Sequence, residues 1–472
     1  MRMYIDGDWC EGANKMPVVE PYTGDTIDTV PDADADDVER TLAAAVRRAR
    51  EMAALTAYER AQILNRAADQ CAAEVETLTT LIAREVGKPI AEARGEAGRA
   101  ADMLRLAAFE GSQLRGETLP LDANAATTGK LGFTLRHPCG VVVAITPFNY
   151  PSLLVLHKIG PALATGNAVI LKPATNTPLT ALALTRILLE DGLPPNALQC
   201  ITGSGARLGP ALCADPRVRN ISFTGSTAVG EAIAACAGVK KLSLELGSAC
   251  PMVVMPDADL DAVAKATATA GYVNAGQVCI SLQRVLVHEK VYGDYLDAVK
   301  APVEAIKVGG SLEPDTQLSA MITETEAERV GAWVDEAMAD GAQLVTGGAR
   351  DGAVMQPTLL ADVKPEMRVF KDEVFGPAVA ATPVSDIDHA IELANDSRYG
   401  LAAAIFTQDV RNAMRFAQAA ESGNVHVNWT PLWRADLMPY GGVKGSGFGK
   451  EGIRYAAEEM TEMKTVVFHG LD

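Results

Sequence analysis

The first quarter of the chain carries its apolar residues at helical spacing. In 37-DVERTLAAAVRRAREMAAL-55 they recur three and four positions apart on an alanine-rich background, and residues 35–115 read as helical. The pattern then changes. Short apolar runs follow one another: 140-GVVVAI-145, 168-AVILK-172, 198-LQCIT-202, 220-NISF-223 and 241-KLSLEL-246. Helix-like segments at 153–165, 178–190, 205–214 and 227–236 separate them. Strands alternating with helices predict a parallel, doubly wound sheet, which binds ligands at the carboxyl ends of its strands. A second alternating pattern begins after about residue 247, with 252-MVVM-255, 284-RVLVHE-289, 378-AVAATPV-384, 401-LAAAIF-406 and 424-NVHVNW-429. It predicts a second α/β unit. The segment 464-KTVVFHG-470 reads as a strand with no local partner. Such a strand pairs with another subunit or closes its own sheet.

At 472 residues the chain is too long for one simple core, so two or three domains are expected. The formal net charge of −18 argues against nucleic acid or an anionic membrane as the main partner, though it permits a local basic pocket. The stretch MRMYIDGDWCEGANK has no apolar core of signal-peptide length, and no run approaches a membrane span. None of the eight cysteines forms a Cys-x-x-Cys pair. Free thiols in a reducing cytoplasm are expected, and no metal site.

Four segments carry candidate chemistry, each with an ordinary alternative. In 223-FTGSTAVG-230, strand, glycine, Ser/Thr and helix put free N–H groups at a helix N-terminus. That suits a pyrophosphate, or it is a plain βα turn. In 171-LKPATNTP-178 a lysine ends a strand where a ligand should lie, or is simply exposed. Glu245, in 244-LELGS-248, is a candidate general base or an ion-paired structural residue. Asn149, in 146-TPFNYP-151, is a candidate oxyanion donor or a turn asparagine.

Together and in order, TPFNYP, LKPATNTP, FTGSTAVG, LELGS, 274-NAGQVC-279, 373-EVFGP-377 and 440-YGGVKGSGFGKEG-452 make the chain resemble the aldehyde dehydrogenase superfamily over essentially its whole length. The resemblance implies an α/β fold with a Rossmann-type cofactor domain (1–117 and 139–247), an α/β catalytic domain (248–446) and small oligomerisation strands (118–138 and 458–472), assembled as a homodimer or homotetramer. It implies NAD(P)+-dependent oxidation of an aldehyde. Cys279 is then the nucleophile. Asn149 and the Cys279 N–H stabilise the oxyanion, and Glu245 activates the water that hydrolyses the thioester. Relatives that pass the acyl group to coenzyme A typically lack this glutamate, so a free acid is the expected product.

By the same resemblance Thr146, Pro147 and Phe148 line the cofactor site. Lys172 bonds the adenosine ribose, Gly225 and Ser226 contact the pyrophosphate, Glu373 binds the nicotinamide ribose and Phe375 packs beside it. Lys158 matches a lysine near the catalytic site. There are departures. Phe148 replaces a common tryptophan, and Ser248 and Ala249 replace a Gly-Lys pair. Thr175 stands where NAD-preferring relatives often carry glutamate, so NADP+ is admitted alongside NAD+.

Pocket positions read onto this sequence give Arg99, Tyr150, Leu153, His157, Val278, Ile280, Arg434 and Tyr440. Two arginines and a tyrosine resemble the anion site of non-phosphorylating glyceraldehyde-3-phosphate and phosphonoacetaldehyde dehydrogenases. The expected substrate is therefore a small aldehyde with a phosphate, phosphonate, sulfonate or carboxylate at its far end. Val278 stands where those relatives often have arginine, and NAGQVCIS also resembles lactaldehyde-type relatives. A neutral hydroxyaldehyde is the alternative. Arg99 is otherwise a helix-surface partner of Glu96. A cysteine hydrolase or acyltransferase would need a histidine beside Cys279, and the six histidines form no local signature. A non-enzymatic protein on the same fold would leave Cys279, Glu245 and Asn149 unexplained.

Overall fold

A computed structural model describes residues 1–470. The helical first quarter divides into four helices, Ala35–Ala54, Ala57–Ala73, Val75–Val86 and Ile90–Ser112. Their ends are set locally. Asp34 with Asp37, and Thr56 with Glu59, form capping boxes at the first two N-termini. Gly87, left-handed at φ 75°, stops the third helix.

The runs of Val, Ile, Leu and Ala become the centre of an eight-stranded sheet. Val141–Ile145 lies in the middle, with Ala168–Lys172 and then Leu198–Cys200 on one side and Asn220–Thr224 and then Lys241–Glu245 on the other. All these neighbours are parallel. Strands buried on both faces read as continuous apolar runs, and helices cover both faces here. The chain reverses its direction of travel across the sheet at Val141–Ile145. The crevice this opens lies past Ile145 and Thr224, where residues 146–149 and 225–226 sit.

The second half forms a seven-stranded sheet, parallel except for its edge strand Gln343–Thr346. Two pairings of the first sheet were not anticipated, one of them a link between the halves. Gly447–Phe448 crosses back to pair antiparallel with Lys241–Glu245, setting Gly447 opposite Glu245. Met3–Ile5 joins the far side of the first sheet beside Leu198–Cys200.

The terminal strand spans Thr461–His469 and pairs antiparallel with Lys130–Pro138 over its whole length. Of the two options open to it, it closes a sheet within its own chain, together with Thr118–Leu119. The outer edge of Thr461–His469 is unpaired, and Met463, Phe468, Leu131 and Leu135 of this sheet are exposed. Positions 471–472 of the expected oligomerisation segment lie outside the described residues. Among the described residues no helix is long and apolar enough to cross a membrane.

Candidate active site

The loop before Cys279 is held in an unusual backbone conformation. Asn274, Ala275 and Gly276 are successively left-handed, at φ 50°, 53° and 70°. Two of the three carry a side chain, at a cost of roughly 1–3 kcal/mol each. Gly276 is required for a second reason, since a Cβ there would fall 2.1 Å from the carbonyl oxygen of Gly376. Hydrogen bonds offset the strain. The Asn274 N–H donates to Glu92 Oε2 (3.0 Å), Gln277 Nε2 donates to the Asn274 carbonyl (3.0 Å), and Gln277 Oε1 accepts from the Ile322 N–H (2.9 Å).

This loop is tied to the one bearing Asn149. Asn149 Nδ2 donates to the Gln277 carbonyl (2.8 Å), which fixes the amide orientation, because only nitrogen can donate. A second N–H of that amide is left for another acceptor, and Oδ1 has no partner. The Asn149 carbonyl accepts from Lys88 Nζ (2.8 Å), whose ammonium also pairs with Glu96 (2.6 Å) and lies 3.7 Å from the Tyr150 ring centre. Glu96 in turn accepts the N–H groups of Ser152 and Leu153 (2.9 and 3.2 Å) at the start of the Leu153–Ala164 helix. The ion pair is fully buried, so it holds only because every partner is present. Lys88 and Glu92 were absent from the sequence reading, and Glu96 entered it only as an alternative partner of Arg99. Lys88 and Glu96 are eight positions apart, but their other partners and that of Glu92 are 56 to 182 positions away, and nothing local marks them.

Cys279 lies where two cavities meet. The smaller, of about 130 Å³, is lined by Arg99, Tyr150, His157, Val278, Arg434 and Tyr440, with Asn149 and Cys279. The larger, of about 460 Å³, is lined by Thr146, Pro147, Phe148, Gly225, Ser226, Glu373 and Phe375, again with Asn149 and Cys279. The Cys279 sulfur is 3.0 Å from the Tyr440 hydroxyl. Burial pushes its thiol up to about 12. Tyr440 and Arg434 work against that rise, while Glu245 and Cys250 add to it. The hydrogen-bond partner of the sulfur is thus a phenol and not an imidazole.

Glu245 is buried and neither carboxylate oxygen has a hydrogen-bond partner. The ion-paired structural alternative therefore does not hold. Burial, with repulsion from Glu451, pushes the Glu245 carboxyl well above its ordinary range, against the pull of Arg434, Lys158 and Lys450. Gly441 backs it closely, since a Cβ there would come within 2.8 Å of Glu245 Oε1. For Glu451 burial also works upward, but Lys158 and Arg434 more than offset it and hold the group at about 2. Lys158 Nζ reaches Glu451 at 2.7 Å and Ser222 Oγ at 3.2 Å. Glu451 too escaped the sequence reading, although it lies inside the motif 440-YGGVKGSGFGKEG-452.

The arginines stand in the smaller cavity, but not as free cations. Arg99 is hydrogen-bonded to Asp436 and not to Glu96, which corrects the helix-surface alternative. Arg434 pairs with Glu451 (3.1 Å), meets His157 Nδ1 (3.2 Å) and lies 3.9 Å from the Tyr440 ring centre. Its Nε is buried with no partner. His157 Nδ1 lies 3.2 Å from both the Arg434 guanidinium, which only donates, and the Glu451 carbonyl oxygen, which only accepts, and Nε2 is 3.4 Å from Asp436. Burial and Arg434 push His157 down to about 4, so it is neutral at neutral pH.

The larger cavity fits a dinucleotide. Thr146 Oγ1 is buried without a partner. The Thr227–Ala237 helix begins at Ser226, whose side chain caps no backbone N–H, so first-turn donors are left for an anion. Glu373 Oε1 accepts from the Ser248 N–H (2.9 Å), and burial pushes this carboxyl up to about 7. Ser248 Oγ meets Cys250 Sγ at 3.0 Å, so the departure at this position is accommodated. Phe375, at φ 46°, packs edge-on to Phe148 with ring centres 5.8 Å apart. Lys172 and Thr175 are not on this wall. Lys172 is buried at the end of its strand, where burial pushes it down to about 8, and Thr175 Oγ1 donates to the Gly203 carbonyl (3.3 Å).

Residues 9–466 match the model of the aldehyde dehydrogenase family. The chain belongs to that family. Among its relatives is a 3-sulfolactaldehyde dehydrogenase of Priestia aryabhattai, 44% identical over 99% of this chain and 98% of the relative. A lactaldehyde dehydrogenase of Methanococcus vannielii is 37% identical over 99% of this chain and 100% of the relative. The crystal structure of the glyceraldehyde-3-phosphate dehydrogenase GapN from Methanocaldococcus jannaschii complexed with NADP superposes with a TM-score of 0.93, at 36% identity, over 96% of this chain and 98% of that one. The protein is thus an aldehyde dehydrogenase by family, with the α/β architecture of that family.

Proposed function

We propose that this aldehyde dehydrogenase oxidises a small aldehyde to its carboxylic acid with NAD+ or NADP+, through a thiohemiacetal and a thioester on Cys279. The observation that carries the reading is the shared wall. One sulfur borders both a chamber of about 130 Å³ and a dinucleotide-sized cavity of about 460 Å³. The Cys279 thiolate attacks the aldehyde carbon from the smaller side. The free N–H of the Asn149 amide and the Cys279 N–H receive the oxygen as charge develops on it. Thr146, Ser226, Glu373 and Phe375 would hold a nicotinamide dinucleotide, which would supply the two-electron acceptor. Glu245, in its ionised form, takes a proton from the water that resolves the thioester. Lys158 and Glu451 stand beside it to fix its charge state. A homodimer or homotetramer is proposed from the exposed apolar residues of the three-stranded sheet.

The substrate proposed is a small aldehyde with an anionic far end. Arg99 and Arg434 line the smaller chamber, each beside a carboxylate, Asp436 and Glu451, held low at about 2. The buried, unpartnered Arg434 Nε offers a donor. The relative acting on 3-sulfolactaldehyde supports an acidic substituent. A neutral hydroxyaldehyde is favoured by one observation, that each arginine already has a carboxylate. Arg99 gives the cleaner test, because Arg434 also touches Glu451 and Tyr440. Arg99→Gln is expected to lower kcat/KM roughly tenfold for sulfolactaldehyde or glyceraldehyde 3-phosphate, and to spare lactaldehyde. Steady-state assays of wild type and variant on both substrate types decide. Equal losses on both, or a wild type that prefers lactaldehyde, turn the reading to the neutral substrate.

Cofactor choice is proposed, from the family resemblance and although neither residue lines the larger cavity, to rest on the uncharged Thr175 three positions after Lys172. Thr175→Glu is expected to weaken NADP+ roughly tenfold more than NAD+, since the carboxylate would face the 2′-phosphate. Fluorescence titration of both cofactors measures this. Equal changes would place Thr175 away from the adenosine ribose.

A further inference from the structure

We propose that Tyr440 is a catalytic residue whose hydroxyl donates a hydrogen bond to the Cys279 thiolate, holding the nucleophile in its reactive form. The proposal rests on the assignment of Cys279 as nucleophile. Its basis is geometric. The Tyr440 hydroxyl is 3.0 Å from the sulfur. That is its sole hydrogen bond among the described residues, and the side chain is 3% exposed. Its ring packs among Cys250, Val278, Ile280, Leu401 and Ala402, with the Arg434 guanidinium 3.9 Å from the ring centre. Phenylalanine would fill that space as well, so the hydroxyl has no packing reason to be there. A buried hydroxyl without a partner is costly, and the sulfur is the partner available.

The direction of donation follows from the two acidities. Burial, with the proximity of Cys279, keeps the phenol well above its ordinary value. Tyr440 therefore retains its proton while the thiol ionises, and it donates. A thiol is a weak acceptor and a thiolate a strong one, so the bond strengthens as the charge forms. The other groups facing the sulfur do not replace it. Arg434 favours the thiolate through space but makes its own contacts with Glu451, His157 and the tyrosine ring rather than with the sulfur, while Glu245 and Cys250 disfavour the thiolate. Tyr150, which also lines the cavity, lies against Lys88, and His157 is neutral. No proton leaves Tyr440 at any step. The sulfur lone pair forms the C–S bond on attack. When water resolves the thioester that bond breaks toward sulfur, and the hydroxyl receives the thiolate again.

The test is the pH dependence of iodoacetamide alkylation of Cys279, alongside turnover. Tyr440→Phe is expected to raise the alkylation midpoint by about one pH unit or more. It should lower kcat/KM roughly tenfold at pH 7 with recovery at higher pH, at little change in melting temperature. A purely structural role for Tyr440 would leave the midpoint where it is, and that result overturns the proposal. Should Tyr440→Phe fail to fold, 3-fluorotyrosine placed at position 440 serves instead. Its more acidic phenol should move the midpoint down, and no movement again overturns the proposal. Cys279→Ala is the control. It should remove the alkylation phase altogether, and if the phase persists the nucleophile assignment itself fails.

Discussion

Cys279→Ala is expected to abolish turnover, by a factor on the order of 10⁴ or more, while dinucleotide binding is retained. No other group near the aldehyde chamber can form the thioester. Cys250 is buried behind the loop, bonded to Ser248 and facing the Cys279 carbonyl, and burial pushes its thiol up to about 11. Cys279 is partly exposed to the cavities, so its truncation leaves little void and the fold should persist. Steady-state assay and cofactor titration of the same preparation separate chemistry from binding. Residual activity above a hundredth of wild type would mean that the sulfur is not the nucleophile.

The second large effect concerns Glu245. Glu245→Gln is nearly isosteric and introduces no hole. It is expected to preserve the first turnover and to slow the steady state by roughly 10² to 10³, because a general base contributes about that much. A burst of NAD(P)H followed by a slow phase is the signature. The pH profile follows from the shift. Because burial and Glu451 raise the Glu245 carboxyl, the base form is scarce at low pH and grows as pH rises through the raised value. Wild-type kcat should therefore rise with pH along that limb, and the glutamine variant should lose it. A variant that matched wild type in the steady state would remove Glu245 from the mechanism.

Much of this was legible in the sequence for physical reasons. Strands such as Val141–Ile145 and Ala168–Lys172 announce themselves because both of their faces are buried, which leaves a continuous apolar run. Asn149 and Glu245 stood out at strand ends, but their roles, and that of Cys279, were legible through the resemblance carried by the ordered motifs and not through local sequence. Pairing over long distances leaves no such trace. Thr461–His469 lies over 300 positions from Lys130–Pro138, and Gly447–Phe448 is far from Lys241–Glu245. The charge network failed for the same reason. Arg99 was legible as a pocket residue, but Asp436 as its partner was not, being 337 positions away. Lys88 beneath Asn149 and Glu451 beside Glu245 were likewise invisible until the fold brought them together.

The central claim is a covalent acyl intermediate on Cys279 that Glu245 releases. Glu245→Gln, mixed with aldehyde and NADP+ or NAD+ and quenched in acid within the burst, holds the intermediate at its highest level. Peptide mapping by mass spectrometry should find the acyl mass on the peptide containing Cys279, at close to one per subunit, and none in the Cys279→Ala, Glu245→Gln double variant. An adduct on the Cys250 peptide, or a burst of reduced cofactor with no acylated peptide, would contradict it.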